Sequence, residues 1–121
     1  MNKHVLVLGA SLKEYRYSNI AVKTLIKNHY PVTAIGNRTG NISGVEVKKE
    51  IPENLEAVDT ITLYLGPPNQ INYYEQILNI KPKRLIFNPG TENDELKELA
   101  EQQGIDTLEA CTINMVSNGF F

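Results

Sequence analysis

Apolar residues along this chain fall into short blocks of two alternating kinds, separated by turn-forming residues. The first kind is a continuous run: Val5-Leu6-Val7-Leu8, Thr60 to Leu65, and Arg84-Leu85-Ile86-Phe87. Runs without polar alternation mark strands buried on both faces. Tyr30 to Ile35 and the shorter Ile105-Asp106-Thr107-Leu108 bring the number of expected strands to five. The second kind recurs at spacings of three and four, as helical faces do: Ile20, Ala21, Leu25 and Ile26 within 19–28, and Ile71, Tyr74 and Leu78 within 69–79. A further face, Leu96, Leu99 and Ala100, belongs to a helix opened by Thr91 with Asp94 in a capping-box spacing and closed at Gly104. Ser18 is the expected N-cap of the first helix. Residues 52–57 and 111–116 read as short helices, 45–47 as a short extended piece, and 36–44 as an exposed loop. Strands alternating with helices predict an α/β fold: one domain over 1–121, with a three-layer, doubly wound, parallel five-stranded sheet and right-handed crossovers.

In such a sheet the loops after the strands gather on one edge, where ligands bind near the switch in strand order. Gly9-Ala10-Ser11 ends the first strand there, and glycine allows the sharp turn that aims free N–H groups at an anion. Only one glycine of the dinucleotide-binding pattern is present in this turn. Lys13 and Arg16 add positive charge, and Tyr15 and Tyr17 are candidates to cover an adenine or ribose. The second strand ends in Gly36-Asn37-Arg38, where NAD-binding folds place a carboxylate for the ribose hydroxyls. An arginine suits a phosphorylated ribose instead, leaving NADP and coenzyme A as nucleotide candidates. Leu65-Gly66-Pro67-Pro68 and Asn88-Pro89-Gly90 allow close backbone approach, and Asn69, Gln70 and Asn88, the last as the more exposed, offer amides for an adenine edge or a pantetheine.

Charge and composition narrow the choice. A net charge of -2 over 121 residues argues against nucleic acid or an anionic membrane as partner. The single cysteine points to a reducing cytoplasm, and no stretch is long and apolar enough for a membrane span. His4 and His29 lie away from the ligand edge, and two histidines with one cysteine have no metal-ligand spacing. Without a Ser/His/Asp set or a placed acid–base pair, the chain reads as a binding module rather than an enzyme. Cys111, after the last strand, is a candidate to meet a cofactor thiol, against the alternative of an inert buried thiol. The apolar tail Phe120-Phe121 is a candidate homodimer surface.

Taken together, Gly9-Ala10-Ser11, Arg16-Tyr17-Ser18-Asn19, Asn88-Pro89-Gly90 and Glu109-Ala110-Cys111-Thr112 resemble the small CoA-binding domain family, over nearly the whole chain and in order. That family is similar to the CoA-binding domain of the succinyl-CoA synthetase α subunit. The resemblance implies a Rossmann-like fold whose loops hold the ADP portion of coenzyme A or an acyl-CoA. It implies that Gly9, Ala10 and Ser11 line the diphosphate and that Arg16, Ser18 and Asn19 support it. The segment Gly36 to Arg38 would then face the phosphorylated ribose, and Leu65 to Asn69 would pass the adenine or pantetheine side. Members commonly end the second strand in a Val-Asn-Pro type turn, from which Ile35-Gly36-Asn37-Arg38 departs. Phosphohistidine and ligase segments are lacking, so synthetase activity is not expected to transfer. Three functions are weighed: non-catalytic binding of coenzyme A as carrier, sensor or regulatory module; an NADP-binding oxidoreductase or a component of one; and a ligand-free interaction protein.

Overall fold

A computed structural model describes residues 3–121. Its elements are β1 (Val5–Ala10), α1 (Tyr17–Lys27), β2 (Val32–Gly36), β3 (Gly40–Ile42), β4 (Val45–Lys48), β5 (Thr60–Leu63), α2 (Pro67–Gln70), α3 (Tyr74–Ile80), β6 (Arg84–Phe87), α4 (Asp94–Gln102), β7 (Asp106–Glu109) and α5 (Thr112–Ser117), with one 3₁₀ turn at Ile71–Tyr73. The sheet order is β3-β4-β2-β1-β5-β6-β7, parallel throughout except for the β3–β4 hairpin. β1 lies at the centre, with β2 on one side and β5 on the other, so strand order reverses across it.

The apolar runs explain the layering. Successive side chains of a strand face opposite ways. In β1, Leu6 and Leu8 therefore join Ile61, Leu63, Leu85 and Phe87 beneath Ile77 of α3 and Leu96 and Ala100 of α4. Val5 and Val7 face the other layer, with Val22 and Leu25 of α1, Ile86 of β6 and Val116 of α5. Residues 5–8 have no exposed surface at all, as a strand covered on both faces requires.

The fold differs from the sequence expectation in five places. The sheet has seven strands rather than five, because 40–48 forms a hairpin that extends it past β2. Ser43 and Gly44 both take positive φ, as a two-residue type I′ turn demands, and Gly44 N–H donates to Asn41 Oδ1 at 2.8 Å. Arg16, not Ser18, is the N-cap of α1; Ile20 N–H already donates to Arg16 O, which places Ser18 inside the first turn and buries it. Residues 52–57 form no helix. The helix expected at 69–79 begins earlier, at Pro67, breaks into three pieces, and buries Ile77 while Ile71 is left exposed. Finally, Asn93 caps α4 by accepting from the N–H groups of Glu95 and Leu96, while the Thr91 hydroxyl donates to Asn88 O.

The tail folds inward. Phe121 is buried, its ring edge-on to Tyr30 at 5.2 Å between centroids and beneath the Arg84 guanidinium at 4.3 Å. Burial lowers the pKa of Arg84, a trend that Asp59 opposes. Only Phe120 remains exposed for the dimer surface that the tail suggested.

Candidate functional site

Where the carboxyl ends of β1, β2 and β5 meet, the sheet opens into a cleft of about 500 Å³. Gly9 lines its floor, and Gly36 supports that floor from behind. Gly9 has φ +96°, and a Cβ there would stand 2.8 Å from the Tyr64 carbonyl carbon, so both conformation and contact exclude a side chain. Gly36 matters for contact alone: a Cβ would fall 2.1 Å from Ala10 O, its partner across β1 and β2. The strand ends can therefore approach closely only because both positions are bare.

The loop 11–16 forms one wall. Lys13 N–H donates to Ser11 Oγ at 3.1 Å, and Asn19, buried in α1, donates from Nδ2 to Ser11 O at 2.8 Å. Leu12 lies over Gly40 of the hairpin, its Cδ atoms 2.7 Å from where a Cβ would be. Asn37 and Arg38 form the second wall, and Tyr64, Leu65, Gly66 and Asn69 the third. Among the described residues, three cations, Lys13, Arg16 and Arg38, line this cleft, and no Asp or Glu does. Glu14, the acidic residue of the loop, pairs with Lys23 of α1 at 3.5 Å instead. α1 begins beside the cleft without an acidic residue in its first turn or a side-chain cap, so its dipole is left to favour an anion.

Of the residues singled out in the sequence, Gly9, Ala10, Ser11, Arg16, Asn37, Arg38, Leu65, Gly66 and Asn69 come together here. Gly36 and Asn19 support the floor and the loop from behind. Tyr17 is exposed outside the lining, Ser18 is buried in the helix, and Pro67 starts α2. The segment Asn88-Pro89-Gly90 does not line the cleft. Expected to be the more exposed amide, Asn88 is only 1% exposed. Its Nδ2 donates to Thr62 Oγ1 and Leu63 O, and its Oδ1 accepts from Thr112 N–H, so the amide is used inside the protein. Gln70 is likewise fully buried.

Leu12 and Tyr64 are lining residues that sequence reasoning did not single out. The tyrosine hydroxyl is buried without a completed hydrogen bond. The hydroxyls of Thr62 and Thr112 lie beside it but are engaged with each other at 2.7 Å. Burial, with the Cys111 thiol adding to it, pushes the Tyr64 phenol well above its usual range, so it stays protonated. Cys111 itself is the N-cap of α5, partly exposed and outside the cleft lining. Among the described residues, no group of three or more His, Cys, Asp or Glu side chains is placed to hold a metal, and no helix is long and apolar enough to cross a membrane.

A doubly wound sheet with a cation-lined cleft at its switch point defines a Rossmann-like domain. The CoA binding domain family model matches residues 3–117, and this chain belongs to that family. A comparison with curated proteins finds no match. Among solved structures, the crystal structure of an uncharacterized protein is 41% identical, with TM-score 0.95, covering 100% of this chain and 99% of that one. A hypothetical protein from Pyrococcus horikoshii OT3 is 23% identical, with TM-score 0.86, covering 97% of this chain and 83% of its own. The dinucleotide forming acetyl-coenzyme A synthetase 1 of Ca. Korarchaeum cryptofilum, solved with phosphate and ADP, is 15% identical, with TM-score 0.73. That match covers 89% of this chain and 25% of the synthetase, and like the Pyrococcus protein it shows the shared fold.

Proposed function

We propose that this protein binds coenzyme A or an acyl-CoA through its phosphorylated ADP portion and holds it without transforming it. The observation that carries the reading is the charge of the cleft: three cations and no carboxylate, in a chain of net charge -2. Such a local excess of positive charge suits a ligand with both a diphosphate and a ribose phosphate. Gly9 to Ser11 with Arg16 would take the diphosphate. Asn37 and Arg38 would take the phosphorylated ribose, where a carboxylate would repel it. Family membership supports the same ligand. The lining has no carboxylate, imidazole or thiol with which to move a proton near neutral pH, which favours holding over chemistry. A carrier, sensor or regulatory module in the cytoplasm fits this reading.

The test is calorimetric titration with coenzyme A, dephospho-CoA, NADP and NAD. Coenzyme A well ahead of the others supports the proposal. NADP, which Arg38 would also accommodate, is the second reading and would have to bind more tightly than coenzyme A. Binding of none of the four would leave a ligand-free interaction protein. Acetyl-CoA recovered intact after long incubation is expected; its hydrolysis or transfer would refute the non-catalytic part.

A further inference from the structure

The cleft takes its walls from the loops after β1, β2 and β5, and nothing from the loop after β6. A buried staple accounts for this. Gln70 donates from Nε2 to Leu65 O and to Thr91 O, both at 2.8 Å, and its Oε1 accepts from Asn93 Nδ2 at 2.8 Å. It thereby stitches the loop after β5 to the loop after β6. Behind it, the amide of Asn88 ties β5 and β6 to the start of α5. To part these loops, several buried polar groups would have to lose their partners without gaining water in exchange. The crevice between β5 and β6 is therefore shut.

Leu12 and Leu65 are the aliphatic side chains larger than alanine in the lining. Leu65 Cδ2 rests 3.0 Å from where a Gly9 Cβ would stand, and Leu12 covers Gly40 while remaining 37% exposed, so the pair forms an open rim rather than an apolar channel onward from the diphosphate turn. Given the coenzyme A reading above, on which this rests, we infer that the cleft grips the nucleotide alone. The pantetheine arm leaves the diphosphate past Asn69 and runs into solvent, with its thiol or acyl group presented outside the protein. The site is then blind to the acyl group, as a module that displays a CoA thioester to a second protein must be.

The experiment has two readouts on the full chain. Calorimetry with coenzyme A, acetyl-CoA, butyryl-CoA and hexanoyl-CoA is expected to give affinities within about threefold of one another, since an arm in solvent gains nothing from added methylenes. In the Cys111→Ser variant, which has no competing protein thiol, bound coenzyme A is expected to react with an aromatic disulfide reagent within about twofold of the rate of free coenzyme A. A rise in affinity of about fourfold per buried methylene, or a thiol slowed by about tenfold or more on binding, would put the arm inside the protein and overturn the inference. Either result would leave the coenzyme A reading standing. Failure of coenzyme A to bind at all would remove both.

Discussion

Replacing Arg38 with alanine isolates the ribose phosphate from the rest of the ligand. Arg38 is exposed at the rim of the cleft and follows the end of β2, with Asn37 beside it. Hydrogen bonds to charged groups are worth roughly 1.5–3 kcal/mol when shielded. Exposure reduces that, so about 1–2 kcal/mol is expected, or a five- to thirtyfold loss of coenzyme A affinity. Dephospho-CoA lacks the phosphate in question, and its affinity should change by less than about twofold, a small electrostatic remainder. The fold should be indifferent, since Arg38 is exposed and makes no ion pair among the described residues. Calorimetric titration of both ligands against wild type and Arg38→Ala measures the difference directly, and raising the salt concentration should shrink it. Equal losses for the two ligands would take Arg38 off the ribose phosphate, and the orientation of the nucleotide proposed here would fall with it.

Other outcomes follow from the same geometry. Ser11→Tyr fills the diphosphate turn and should abolish coenzyme A binding while the circular dichroism spectrum stays native; unchanged affinity would move the site. Gly36→Ala sets a methyl group against Ala10 O and should force β1 and β2 apart at the floor; a loss of about 2–4 kcal/mol in urea unfolding is expected, and no loss would deny the close approach. Asn88→Ala leaves the Thr112 N–H and other buried groups unpaired, and should destabilise by about 2–4 kcal/mol without changing which ligands bind. Tyr64 titrates above its unfolded value, so the stability held by its protonated form is complete below about pH 10 and declines above it by about 1.4 kcal/mol per pH unit. Tyr64→Phe should remove that part of the alkaline slope and, since the hydroxyl has no completed partner, should cost little at pH 7; identical alkaline slopes for the two proteins would contradict the assigned burial.

How far the sequence can be read here depends on whether a signal is local. Val5 to Leu8 announce a central strand because an uninterrupted apolar run is stable only when covered on both faces. Gly9 reads as the end of that strand, but β1 continues to Ala10, and the φ of +96° at Gly9 marks a bulge where the register to β2 shifts between Leu8 and Ala10. The hairpin at 40–48 had a local signal too, Ser43-Gly44 between Ile42 and Val45, but it lay within a polar stretch that reads equally well as a loop. The offset of the first cap has another cause. Ser18 is a good capping residue by type, yet Ser18 and Asn19 are buried inside the first turn, Asn19 held to Ser11 O of the loop 11–16, and the helix starts at Tyr17. Amide side chains are the hardest case. Asn69, Gln70 and Asn88 look alike in sequence, but Asn69 lines the cleft while the other two close the space beside it.

By itself, then, the sequence determined the alternation of strands and helices, the burial of the central strands, and the glycine turn with cations nearby, since each follows from neighbouring residues. Only the tertiary structure decided which of those cations share one cleft, that Gly36 serves a contact rather than a turn, and that Gln70 seals the crevice after β5. These depend on distances between segments far apart in the chain, which are fixed when two packed layers bring the strand ends to a common edge.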